Sequence, residues 1–197
     1  MTFIKTAIIF LLGFCGLQAQ FTIAIQPFNN VDTNVLVDIL SSISREYDSA
    51  KIVVLQKVAM PDFAYYKPRN RYRAEKLLQF LDTLPVERTK IVGFTDLDIS
   101  TTKNEHYDWG IFGLGEINGA SCVCSVYRLK KNAGSELYVS RIKKVIIHEL
   151  GHTFGLEHCT WPLCVMADYQ GTIKSLDRSG FHLCAQCRAK YKRINNP

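Results

Sequence analysis

Between positions 148 and 159 the chain reads His-Glu-Leu-Gly-His-Thr-Phe-Gly-Leu-Glu-His-Cys, a run that dictates its own geometry. His148 and His152 are four residues apart, so on an α-helix their imidazoles project from one face about a turn apart. Both rings can then close on one ion at roughly 2.0–2.1 Å. Glu149 follows the first histidine and is turned round the helix, where it can reach a metal-activated water instead of the metal. Gly155 can take the left-handed conformation that ends a helix, turning the chain so that His158 returns to the same ion. Three protein ligands leave a fourth position open, the mark of a catalytic rather than a structural zinc. Two histidines at i and i+4 arise readily by chance; a glycine and a third histidine at these offsets do not.

The helix carrying the run is legible. Across 138–154, Val139, Ile142, Val145, Ile146, Leu150 and Phe154 recur at three- and four-residue steps, an amphipathic stripe. Arg141, Lys143 and Lys144 fall largely off it, on the side expected to face solvent. Ser135 and Glu136 are suitable start signals.

A second constellation begins where the first ends. Cys159 and Cys164, then Cys184 and Cys187, form two short knuckles whose four thiolates suit a closed tetrahedral zinc. The rival readings are two disulfides or a redox CxxC, the latter weakened by the lack of a βαβ context around Cys184 and Cys187.

The full run, HExxHxxGxxHCx4CxMx17CxxC, resembles the signature of the archaemetzincins, a branch of the metzincin metallopeptidases. It is met without a gap at His148, Glu149, His152, Gly155, His158, Cys159, Cys164, Met166, Cys184 and Cys187. Upstream, Val92-Gly-Phe-Thr-Asp-Leu-Asp-Ile and Trp109-Gly-Ile-Phe-Gly-Leu-Gly-Glu are similar to the family's central strand and edge-strand region. Arg69-Asn-Arg-Tyr-Arg-Ala-Glu-Lys-Leu-Leu is a weaker match to its second helix. The resemblance covers residues 85–187 closely and the chain from Phe21 onward more loosely. It implies His148, His152 and His158 as ligands of a catalytic zinc and Glu149 as general base. It also implies a structural zinc on the four cysteines and Met166 in the turn beneath the active site. The segment from Ala167 to Leu183 is more divergent, and no functional residue carries over there.

Residues 1–19 read as a secretory signal: Lys5, an apolar run from Ala7 to Leu17, and Ala19 as a cleavage point before Gln20. The run is shorter than the ~20 residues a membrane span needs. Cys15 invites a lipoprotein reading, which the bulky Phe14 before it disfavours. Export favours oxidised cysteines, and the archaemetzincins are mostly intracellular. Zinc bound during folding would hold the four thiolates out of disulfides, which favours the zinc site over disulfides. Residues 20–197 suit one domain.

Upstream of the motif helix the chain alternates in type: strand over 21–28, helix from Asp32 or Thr33 to about Tyr47, strand over 51–58, helix over 70–84, strand over 89–95. Such alternation predicts an α/β fold, and the resemblance implies that it is α+β and metzincin-like. Its parts are a mixed, mostly parallel twisted sheet with an antiparallel edge strand, a backing helix, the active-site helix and a small zinc-stapled C-terminal subdomain. Residues 111–116, broken by Gly113 and Gly115, suit that edge strand with a close backbone approach. Cys122 and Cys124 share one strand face as small core residues.

The net charge of +6, or +5 once Lys5 leaves with the signal, gathers in Arg188, Lys190, Lys192 and Arg193, a solvated helix end. No aromatic interleaving points to nucleic acid. The expectation is an exported, monomeric zinc peptidase with two zinc ions, a peptide substrate and no membrane span. The alternative is an inactive peptide-binding module on the same scaffold.

Overall fold

Strands and helices alternate in the first half of the chain, and five consecutive strands are then followed by three helices, in the order β1 (Thr22–Pro27), α1 (Val35–Glu46), β2 (Lys51–Val54), β3 (Tyr65–Tyr66), β4 (Arg71–Arg73), α2 (Ala74–Leu81), β5 (Thr89–Thr95), β6 (Ile99–Lys103), β7 (His106–Ile111), β8 (Gly113–Gly115), β9 (Ser121–Ser125), α3 (Ser135–Thr153), α4 (Ile173–Arg178) and α5 (Ala185–Asn195). The computed structural model describes residues 21–47, 50–84 and 89–195. The signal-like segment and Cys15 lie outside the described residues.

One five-stranded sheet organises the molecule, in the order β2-β1-β5-β9-β8. β2, β1, β5 and β9 run parallel, and β8 closes one edge antiparallel to β9. The central strands are apolar on both faces, as strands covered by helices on two sides must be. Ile23, Ile25, Val92, Phe94, Cys122 and Cys124 meet the α1–α3 layer. The intervening Ala24, Ile91 and Val123 meet Leu77, Leu78 and Leu81 of α2 on the other face. Cys122 and Cys124 are fully buried, as small core residues should be.

A second sheet, β3-β4-β6-β7, was not foreseen. It takes the first residues of the helix expected over 70–84, which starts only at Ala74 after Asn70 turns with φ +50° and β4 pairs with β6. The expected edge strand over 111–116 is likewise divided: Ile111 ends β7 in the second sheet, and only Gly113–Gly115 pair with β9. The strand expected over 51–58 ends at Val54.

Helix α3 starts at Ser135, three residues earlier than its stripe required, with Gly134 at the N-cap and no side-chain cap. Its solvent side is not where periodicity put it. Arg141 and Lys144 are 2% and 3% exposed, because α4 packs across them. Arg141 donates to both oxygens of Asp177 at 2.7 and 2.8 Å, and Lys144 donates to the carbonyls of Leu176 and Asp177 at 3.1 Å. The C-terminal basic cluster also departs from expectation at one residue. Arg188 pairs with the buried carboxylate of Glu46 at the end of α1, which also accepts from His182 and from the Leu183 amide. Tyr47, Phe154 and Tyr191 complete this junction, with ring centroids 4.8–5.4 Å apart.

Candidate active site and cysteine cluster

His148 and His152 leave α3 on one face, and a tight reversal brings His158 back to them. Gly155 ends the helix at φ +85°, its N–H donating to His152 O while Leu156 N–H donates to Gly151 O, a glycine-terminated stop. The three ring centroids lie 4.7–5.3 Å apart, and one nitrogen from each ring falls within 4.8 Å of the others.

The donor set fits a metal. His148 Nδ1 faces Val165 O at 2.8 Å and His152 Nδ1 faces Leu156 O at 2.8 Å, so each Nδ1 carries the proton. The two Nε2 atoms then point lone pairs at each other across 3.1 Å, a repulsive arrangement unless a cation lies between them. Tetrahedral zinc with bonds of about 2.0–2.1 Å has ligand–ligand edges of roughly 3.3–3.4 Å. Burial pushes His148 down to about 3 and lowers His152 as well, which keeps both rings neutral and able to ligate.

Glu149 is 8% exposed and lies under the edge strand. The edge glycines make room for it: a Cβ on Gly113 would sit 2.6 Å from Glu149 Cγ, and one on Gly115 would sit 2.4 Å from Glu149 O. Burial raises its carboxyl to about 8, against a backbone hydrogen bond from Gly115 that lowers it. The close approach expected from Gly113 and Gly115 is thus an approach to Glu149, to its side chain at Gly113 and to its main chain at Gly115.

Met166 lies beneath the histidines, fully buried, with its Sδ 2.3 Å from where a Cβ on Gly151 would be. Only a glycine lets the helix and this turn touch. Sequence reasoning missed Tyr169. Its ring stacks on His148 at 4.4 Å, and its hydroxyl donates at 2.8 Å to the same Val165 carbonyl that orients His148. A lone tyrosine in an aperiodic segment carries no signal that would have singled it out.

Cys159, Cys164, Cys184 and Cys187 also converge, their sulfurs within 4.8 Å of one another. Cys159 Sγ and Cys184 Sγ are 3.8 Å apart, the edge expected of a tetrahedron with bonds of about 2.3 Å. Backbone N–H groups of Trp161, Met166 and Cys184 point at these sulfurs from 3.3–3.4 Å, as thiolates require. Cys159 N–H donates to Met166 O, so the cysteine knuckle and the methionine turn are one unit.

The described residues around the histidines form a cleft of about 690 Å³ between β8 and the segment 168–171. Fold and site together define a zinc-dependent metallopeptidase. A model of peptidase family M54 matches residues 17–193, and the chain belongs to that family, the archaemetzincins. It is 32% identical over 174 residues to an archaemetzincin of Halobacterium salinarum, covering 83% of this chain and 95% of that protein. The crystal structure of an archaemetzincin from Methanopyrus kandleri superposes with a TM-score of 0.82 at 26% identity, covering 93% of this chain and 99% of that one. A second, from Archaeoglobus fulgidus and complexed with malonate, gives 0.72 at 31% identity over 86% of this chain and 99% of that one.

Proposed function

We propose that this chain is an exported peptidase whose histidines hold a catalytic zinc, whose cysteines hold a structural one, and whose Glu149 is the general base. The observation carrying the reading is the convergence of His148, His152 and His158 with a buried carboxylate one residue from the first ligand. Zinc held there lowers the pKa of water toward 7 and polarises a carbonyl oxygen. The residues do the rest. Val165 O and Leu156 O orient the two helical imidazoles. Glu149, whose charged form a bound dication would favour against the raising effect of burial, takes a proton from the attacking water and returns it to the leaving amine. The free edge of β8 offers backbone partners to an extended peptide, so the substrate adds a strand. Export rests on Lys5, the apolar run to Leu17 and Ala19. No described helix is long and apolar enough to cross a membrane.

Glu149→Ala should keep fold and zinc while turnover falls by about 10²–10⁴-fold. His152→Ala should lose metal and turnover together, because it removes a ligand. Wild-type turnover by Glu149→Ala contradicts the base assignment. Zinc-dependent peptide binding by a wild type that cleaves nothing would make the chain a binding module.

A further inference from the structure

Beyond Phe112 and Gly171, which line both cavities, the catalytic cleft opens into a larger basin of about 1290 Å³. Its lining is one-sided: seven basic side chains against two acidic ones. The two acids are already engaged. Asp98 accepts from Arg71 and from both ends of the Arg128 fork, and Asp177 accepts from Arg141. Four further cations, Lys130, Lys131, Lys174 and Arg178, are exposed at the rim. Among the described residues none of these four side chains has a hydrogen-bond, ion-pair or ring partner. Unpaired cations gathered around a concave surface focus a positive potential into it.

Strand direction tells which part of a substrate meets this potential. β8 runs from Gly113 to Gly115, and Phe112, at the mouth of the basin, precedes it. A peptide pairing with the free edge does so more stably antiparallel. It then enters at the Gly115 end, and its later residues leave past Gly113 and Phe112 into the basin. From this we infer that the basin is an anionic subsite for the peptide on the C-terminal side of the scissile bond. It takes carboxylates, supplied either by Asp and Glu side chains or by the free C-terminus. This rests on the peptidase reading for what the cleft holds, but the charge selection can be tested separately.

The test uses the full zinc-loaded chain and fluorogenic peptides with one common N-terminal half. Their C-terminal halves carry Glu, Gln or Lys at three positions, each made as free acid and as amide. Wild type should cleave the Glu series with kcat/KM roughly tenfold or more above the Gln series, a gain of three exposed ion pairs. The Lys series should be slowest, and the spread should shrink as salt rises from 50 to 500 mM. Combining Lys131→Glu, Lys174→Glu and Arg178→Glu should invert the order, with circular dichroism confirming the fold. A milder set to Gln should flatten it. Loss of preference on amidation assigns the carboxylate to the chain end, and its persistence assigns it to side chains. Equal kcat/KM across the wild-type series overturns the subsite while leaving the peptidase intact. Should no peptide be cleaved, anisotropy of the same labelled peptides decides. Tighter binding of the Glu series by wild type, lost in the reversed variant, upholds the subsite, and equal binding refutes it.

Discussion

At the scale of single residues, the convergence of the three histidines was legible because the spacing that metal geometry demands is local. Spacings of four, three and three residues between His148, His152, Gly155 and His158 fix ring positions through helix pitch and one turn, with no help from distant chain. The contacts that support them were not legible. Nothing in the sequence ties Tyr169 to His148, and the meaning of Gly151 appears only where Met166 comes to rest on it. Gly151→Ala should therefore be costly although alanine is the better helix former. Its Cβ would overlap Met166 Sδ and approach Tyr47 Oη at 3.2 Å in a filled core. Overpacking of this kind typically costs about 1–3 kcal/mol. Thermal unfolding of the zinc-loaded variant should show a clear drop in Tm, and an unchanged Tm would mean that the turn does not sit there.

At the scale of elements, β1, β5 and the motif helix were readable from periodicity, whereas α4 was not. Its six residues lie in the stretch where neither period nor resemblance spoke. That gap explains the misread face of α3: a helix pattern assigns Arg141 and Lys144 to solvent unless a later element covers them. Arg141 brings its charge inside only because Asp177 meets it. The hydrogen bonds from Arg141 hold the Asp177 carboxyl below its usual 3.8. A folded-state pKa below the unfolded one adds stability that is present above the unfolded value and is lost as pH falls through the folded one. Asp177→Asn should cost roughly 1–3 kcal/mol near pH 7, the lower part favoured because the carboxylate is a third exposed. The gap between wild type and variant in urea unfolding should narrow as pH drops from 6 toward 3. A gap independent of pH would show that the pair contributes no charge-dependent stability.

At the scale of the whole molecule, the mostly parallel character of the main sheet followed from alternating strands and helices, and an antiparallel edge strand was expected where β8 lies. The second sheet escaped because its strands are two to six residues long and its reversals rest on Asn70 and Asn104, both at positive φ. Asparagine tolerates that conformation, but a single one announces no hairpin. The C-terminal segment is bound to the body through Glu46 with His182 and Arg188, through Tyr191 against Tyr47 and Phe154, and at the cysteine cluster shared with the methionine turn. The account of export predicts a mature chain beginning at or near Gln20, read by mass spectrometry of protein from its native cells. An intact Met1 contradicts it, and lipid on Cys15 would mean anchoring.

The central claim is that seven side chains make two separate zinc sites, one for chemistry and one for the fold. Zinc counted per chain by native mass spectrometry, on wild type, His152→Ala and Cys184→Ser, tests it most directly. The expected values are two, one and one. His152→Ala should keep the wild-type fold, and Cys184→Ser should be destabilised because structural zinc contributes to folding itself. One zinc in wild type with the four cysteines in two disulfides would contradict the account.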